Sequence, residues 1–215
     1  MTQRESGPYS VAVLDRILRP VKDRLIAPIA GSLGSRIHPT TITVAAAAIG
    51  IGASLMAWQG RYGWAFALWV ANRVTDGLDG AVARATGRQS DFGGYLDMLL
   101  DVVVYGAIPV GFALGRASTS LSIAVMALLA VFYLNITSWL YLAALIEKRA
   151  DHGTSARGST SIPMPSGVVE GTETIVAYAI MLLWPAAATA IIWILAGATL
   201  AGVAQRVAWA HLHMR

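Results

Sequence analysis

No cysteine occurs among the 215 residues, and only 13% of them are Asp, Glu, Lys or Arg. The first absence removes disulfides and thiolate metal sites. The second argues against an ordinary soluble domain, in which roughly a quarter of residues are charged. A secretory signal is also missing, since the first apolar residues alternate with Asp15, Arg16, Arg19, Lys22, Asp23 and Arg24. Histidine is sparse, and His152, His211 and His213 have no metal-ligand arrangement. What abounds is apolar surface, at 56% of residues. The chain is therefore expected to be an all-α polytopic membrane protein.

Residues 9–30 place Val13, Ile17, Val21 and Leu25 four apart, with charges between them. That spacing describes an amphipathic helix lying in the membrane interface, interrupted at Pro20 and Pro28. A soluble helix packed on the body is the alternative. Six apolar segments follow, at about 39–58, 62–85, 92–114, 118–146, 168–184 and 186–209. Each meets or approaches the ~20 residues that a spanning helix needs. Pro39 with Thr40, Thr41 and Thr43 is helix-opening chemistry, and the Ala- and Gly-rich run after it favours close helix packing. The expected organisation is an N-terminal segment, 1–38, and a six-helix domain, 39–215.

With the interfacial helix on the cytoplasmic side and six crossings, both termini fall inside. So do the loops around Arg36, Arg84–Arg88, Lys148–Arg157 and Arg206–Arg215, leaving Arg61 and Arg116 outside. The excess of inside positive charge sets this orientation. In a bacterium the membrane would be the cytoplasmic (inner) one.

Four aspartates interrupt the second and third segments: Asp76, Asp79, Asp97 and Asp101. On helices, Asp76 and Asp79 share one face and Asp97 and Asp101 another. The short connection after Gly87 makes the two helices antiparallel neighbours, so the pairs approach each other at similar depth. At 1.5 Å per residue that depth is roughly 12 Å inside the cytoplasmic end. Carboxylates there are costly unless compensated, and a divalent cation with oxygen ligands is the simplest remedy. Gly77, Gly80 and Gly93 leave room for a ligand or a backbone to come close. Arg84 lies toward the water, placed for a phosphate or a nucleotide. Asn72 can orient a ligand and Arg73 can balance the acids, with helix packing the alternative for both.

The run Asp76-x-x-Asp79-Gly80-x-x-Ala83-Arg84, eight residues, Gly93-x-x-x-Asp97-x-x-x-Asp101 resembles the signature of the CDP-alcohol phosphatidyltransferase family at every fixed position. The resemblance implies transfer of a phosphatidyl group from CDP-diacylglycerol to the hydroxyl of a small polar alcohol, releasing CMP. It implies that Asp76, Asp79, Asp97 and Asp101 hold Mg²⁺ or Mn²⁺, as two ions, with Asp101 as the general base. Gly80, Ala83 and Arg84 would belong to the cytidine-diphosphate site, joined by Thr43 and Gly93. Similar enzymes are commonly homodimers; the other partners expected are membrane lipids, and no nucleic acid. Inverted roles, a CDP-linked head group reacting with a lipid alcohol, are an alternative. A purely structural role for the acids, or a cation channel or transporter, are others, although a channel has no need of Gly80, Ala83 and Arg84.

The acceptor is less plainly written. Val102 stands where relatives acting on phosphorylated acceptors carry Lys or Arg, while Tyr105-Gly106-x-x-Pro109 is similar to the phosphatidylserine synthase branch. That branch has Ser where this chain has Val104. The expectation is a small unphosphorylated alcohol, serine first among several. Arg157, Glu170 and Glu173 are candidate acceptor residues, and the loop 147–167 a candidate lid. Glu170 and Glu173 are equally explained by a favourable interaction with the N-terminal dipole of the fifth helix.

Overall fold

The structure, a computed structural model, describes residues 37–151 and 171–214. The expected interfacial helix at 9–30, together with Arg157 and Glu170, lies outside the described residues. Among those described, the chain forms six α-helices and no strand: α1 Pro39–Trp58, α2 Tyr62–Thr86, α3 Asp91–Leu114, α4 Thr119–Asp151, α5 Gly171–Leu183 and α6 Ala188–His213. A 3₁₀ turn, Pro185–Ala187, joins the last two. Four stretches are long and apolar enough to cross a membrane: α1, α3, Thr119–Arg149 of α4, and Pro185–His213. α2 and α5 differ from them for separate reasons. α2 carries the charges of the aspartate motif, and α5 has only 13 described residues, about 20 Å of helix.

α1 begins with Pro39 at its first turn, and the His38 ring, not a threonine, caps it by accepting from Thr40 N at 3.3 Å. One face of α1 is small and buried: Ala46, Ala47, Gly50, Ala53, Ser54 and Ala57. Those residues let α1 nest against both α2 and α3 at short range. A Cβ on Gly111 of α3 would overlap the Ser54 carbonyl and hydroxyl, and Ser54 Oγ donates to Ala107 O at 2.6 Å. Gly111→Ala is therefore expected to cost about 1–3 kcal/mol through overpacking. It should lower the unfolding midpoint in detergent, whereas Gly63→Ala, with open space around the added atom, should not.

The turn between α2 and α3 is set locally. Gly87 ends α2 with φ 64°, a left-handed conformation that glycine takes without a Cβ penalty. Arg88 N then returns to Ala83 O at 3.0 Å, and the Ser90 hydroxyl caps α3 by accepting from Gly93 N at 3.1 Å. This short hairpin turns the chain back, and the two acidic helices then pack chiefly on α1, not on each other.

Pro109 lies inside α3. Having no N–H, it leaves the carbonyl four residues earlier without its helical donor. That carbonyl belongs to Tyr105, and the Tyr178 hydroxyl of α5 donates to it at 2.8 Å. Trp69, Tyr105 and Tyr178 pack ring against ring, with centroids 5.6–6.2 Å apart, joining α2, α3 and α5.

The second half of the bundle pairs α4 with α6. Arg206, which the sequence reading counted with the inside positive charge, is buried within α6. Its guanidinium donates to Asn135 Oδ1 at 3.2 Å and Ser138 Oγ at 3.3 Å on α4. No carboxylate among the described residues pairs with it. Burial of this charge by α4 is a tertiary event that the basic tail sequence conceals.

Candidate active site

Antiparallel packing sorts the four aspartates by depth, across helices instead of along them. The shallower two, Asp79 and Asp97, line one recess of about 210 Å³. The deeper two, Asp76 and Asp101, flank Arg73. Asp79, Asp97 and Asp101 each lie near enough to Asp76 to repel its carboxylate. Among the described residues, however, no three acidic or histidine side chains already converge on one metal-sized point. The chain's own groups contact three of them. Asp79, buried, accepts from Thr43 Oγ1 at 2.6 Å and from Gly80 N, while Arg73 Nη2 reaches Asp101 Oδ1 at 2.9 Å.

The residues fit a hard divalent cation on two counts. Their donors are all carboxylate oxygens, the set such ions take. And Arg73 already places a positive charge between Asp76 and Asp101, at 3.7 and 2.9 Å, which shows that this carboxylate pair accommodates a cation. Held there, a divalent ion would supply charge neutralisation to a phosphate and its leaving group.

The recess has the character of a phosphate site. Two helix N-termini open onto it, α1 through Pro39 and Thr40, and α3 through Ser90, Gly93 and Gly94. The helix dipoles there favour an anion, although Pro39 has no N–H and those of Thr40, Gly93 and Gly94 are already bonded within the chain. Gly80, Ala83, Arg84, Arg88 and Gln89 complete the lining. Arg84 folds over Gly80 so closely that a Cβ there would meet its Nη1 at 3.2 Å. Pockets that enclose a drug-sized ligand run to about 300–1,000 Å³, so this recess suits a head group and not a whole diacyl lipid.

Every described site residue expected from the sequence is therefore accounted for. Thr43, Asp79, Gly80, Ala83, Arg84, Gly93 and Asp97 share the recess; Asp76 and Asp101 lie at Arg73. Thr43 touches Asp79 through its hydroxyl. Asn72 is buried and donates to Ala46 O at 2.7 Å, so it braces α1 and Arg73, as the helix-packing alternative expects. Glu173 is half-buried in the first turn of α5. That turn adjoins Tyr105, since a Cβ on Gly171 would lie 3.8 Å from the Tyr105 hydroxyl. Arg88, Gln89 and Ser90 were not singled out from the sequence. Their signal was their place in the eight-residue gap, where the family motif leaves residue type open.

Comparison with known proteins gives a consistent picture. The inner membrane protein YnjF of Escherichia coli (strain K12) is 36% identical over 151 residues, 70% of this chain and 71% of that protein. The phosphatidylinositol phosphate synthase of Mycobacteroides abscessus is 32% identical over 218 residues, 94% of this chain and 87% of that one. The Mycobacterium tuberculosis phosphatidylinositol phosphate synthase PgsA1, solved with CDP-DAG bound, shares the fold. Its TM-score is 0.65 at 22% identity, covering 86% of this chain and 92% of that one. Residues 36–205 match the model of the CDP-alcohol phosphatidyltransferase family. The match runs from before α1 to within one residue of Arg206 and contains the whole aspartate motif, so the chain belongs to the CDP-alcohol phosphatidyltransferase family.

Proposed function

We propose that this membrane enzyme transfers the phosphatidyl group of CDP-diacylglycerol to the hydroxyl of a small polar alcohol that carries no phosphate, releasing CMP. The observation that carries this is the sharing of one recess by Asp79, Asp97, Arg84 and two helix N-termini, with Asp101 on the deeper side. Arg84 and the N-terminal dipoles of α1 and α3 attract the diphosphate, Asp76, Asp79, Asp97 and Asp101 would hold two Mg²⁺ or Mn²⁺ ions, and the acyl chains stay in the bilayer. Asp101 takes the acceptor's hydroxyl proton as its oxygen bonds to the lipid-bearing phosphorus. The bond from that phosphorus to CMP breaks. Before an ion binds, Arg73, itself bonded to the Tyr105 hydroxyl, holds the base from the other side.

In this reading the domain is 39–215. The chain crosses the membrane six times as a homodimer, with both termini and the recess facing the cytoplasm. Lysine and arginine distribution supports the orientation. The absence of a phosphate on the acceptor is supported by Val102 and Val103, which follow Asp101 and are apolar and exposed.

The test is CMP release from CDP-diacylglycerol in Mg²⁺ or Mn²⁺ across serine, glycerol, inositol and their phosphates. Turnover with an unphosphorylated acceptor is expected. Turnover confined to phosphorylated ones would overturn the acceptor assignment, and no release with any would overturn the donor. Glu173, near Tyr105, is assigned to the acceptor's hydroxyl or amine. Glu173→Ala is then expected to raise the acceptor KM about 10- to 100-fold, the range of a charged hydrogen bond, with the donor KM unchanged. Equal acceptor KM values would remove Glu173 from the site.

A further inference from the structure

Arg73 is held from every direction within the membrane bundle. Its Nη2 lies 2.9 Å from Asp101 Oδ1, Nη1 lies 3.1 Å from the Tyr105 hydroxyl, and Nε lies 2.7 Å from Asn72 Oδ1. Nη1 is also 3.7 Å from Asp76 Oδ2. The guanidinium carbon sits 4.8 and 5.0 Å from the ring centroids of Trp69 and Tyr105, and 11% of the side chain is exposed. The family motif does not include this position. Simple helix packing would not require a cation here, and an intramembrane cation is expected to be functional.

We infer that Arg73 is an internal cation that competes with a divalent ion for Asp76 and Asp101 and thereby sets the enzyme's metal affinity. This rests on the proposed reading of the aspartates as metal ligands. An ion binding Asp101 Oδ1 must take that oxygen from Arg73 Nη2, and its charge is repelled by the guanidinium at close range in a poorly screened interior. Displaced from Asp101, Arg73 still has Asn72, Tyr105 and two aromatic faces to hold it. The exchange therefore strands neither the arginine nor the carboxylates. Arg73 is a positioning residue in this scheme: it acts on the reaction only through Asp76 and Asp101.

The experiment is titration of the full detergent-solubilised chain with Mn²⁺ alone, reading free Mn²⁺ by electron paramagnetic resonance. Arg73→Gln is expected to bind Mn²⁺ at least tenfold more tightly than wild type, and Arg73→Lys, which keeps the charge, within about threefold of it. With chelator, Arg73→Gln should unfold at lower temperature than wild type, and Mn²⁺ should close that gap. A glutamine variant recovered only in Mn²⁺, and unfolding on chelation where the lysine variant survives, supports the inference as well. Equal or weaker Mn²⁺ binding by the glutamine variant, equal shifts in both variants, or glutamine unfolding regardless of Mn²⁺ would overturn it. Failure of wild type itself to bind Mn²⁺ would instead overturn the proposed metal site.

Discussion

Asp101→Asn is expected to slow CMP release about 10²- to 10⁴-fold, the usual contribution of a positioned general base. The asparagine has nearly the same shape but does not accept the acceptor's proton. It also leaves Arg73 without its nearer carboxylate, at 2.9 Å, although Asp76 stays within 3.7 Å. The fold should survive, because Asn72, Trp69 and Tyr105 still hold the guanidinium. Circular dichroism with initial rates at saturating donor checks both halves. Asp91→Asn is the control: Asp91 opens α3, exposed and outside the motif, and its rate should stay within about threefold of wild type. Turnover retained by Asp101→Asn would remove it as the base.

Chelation is the second large effect expected. Four carboxylates in one neighbourhood repel one another in a poorly screened interior. Arg73 balances the deeper pair, while Thr43 and the Gly80 N–H offer Asp79 hydrogen bonds. Neither of the latter brings the net positive charge that a diphosphate needs beside these acids. Several kcal/mol of transition-state stabilisation by a metal ion corresponds to a loss of about 10³-fold or more when it is withdrawn. Dialysis against a chelator should reduce CMP release by at least that factor, and Mg²⁺ or Mn²⁺ should restore it where K⁺ does not. Full activity after exhaustive chelation would end the metal reading.

The parts of this molecule that were legible in the sequence are those written in local patterns. α1 spans the same residues, Pro39–Trp58, that its opening proline and small-residue run delimit. Hydropathy placed the two acidic helices, but the expectation that the short connector makes them packed neighbours is not met: both pack chiefly on α1 and meet through side chains such as Arg73 and Asp101. The motif spacing then named the acids. What could not be read is which acid meets which partner. Two residues on one face of a helix, Asp76 and Asp79, end up with different neighbours because the crossing of α2 and α3 pairs deep with deep. The contact of Thr43 with Asp79 spans 36 residues, and Arg73 with Asp101 spans 28. Side-chain choices over such separations follow from packing, not from neighbours in the chain. The His38 cap was hidden for the opposite reason: three threonines nearby made a more conventional candidate.

Pro109 has a consequence for anyone altering this protein. A substitution scale treats proline in mid-helix as damage and alanine as its repair. Here the missing amide makes the Tyr105 carbonyl a socket, and the Tyr178 hydroxyl plugs into it from another helix. Alanine would bring its own amide to that carbonyl and contest the fit one turn from the proposed base. The apparent flaw is a joint, and mending it would loosen the machine.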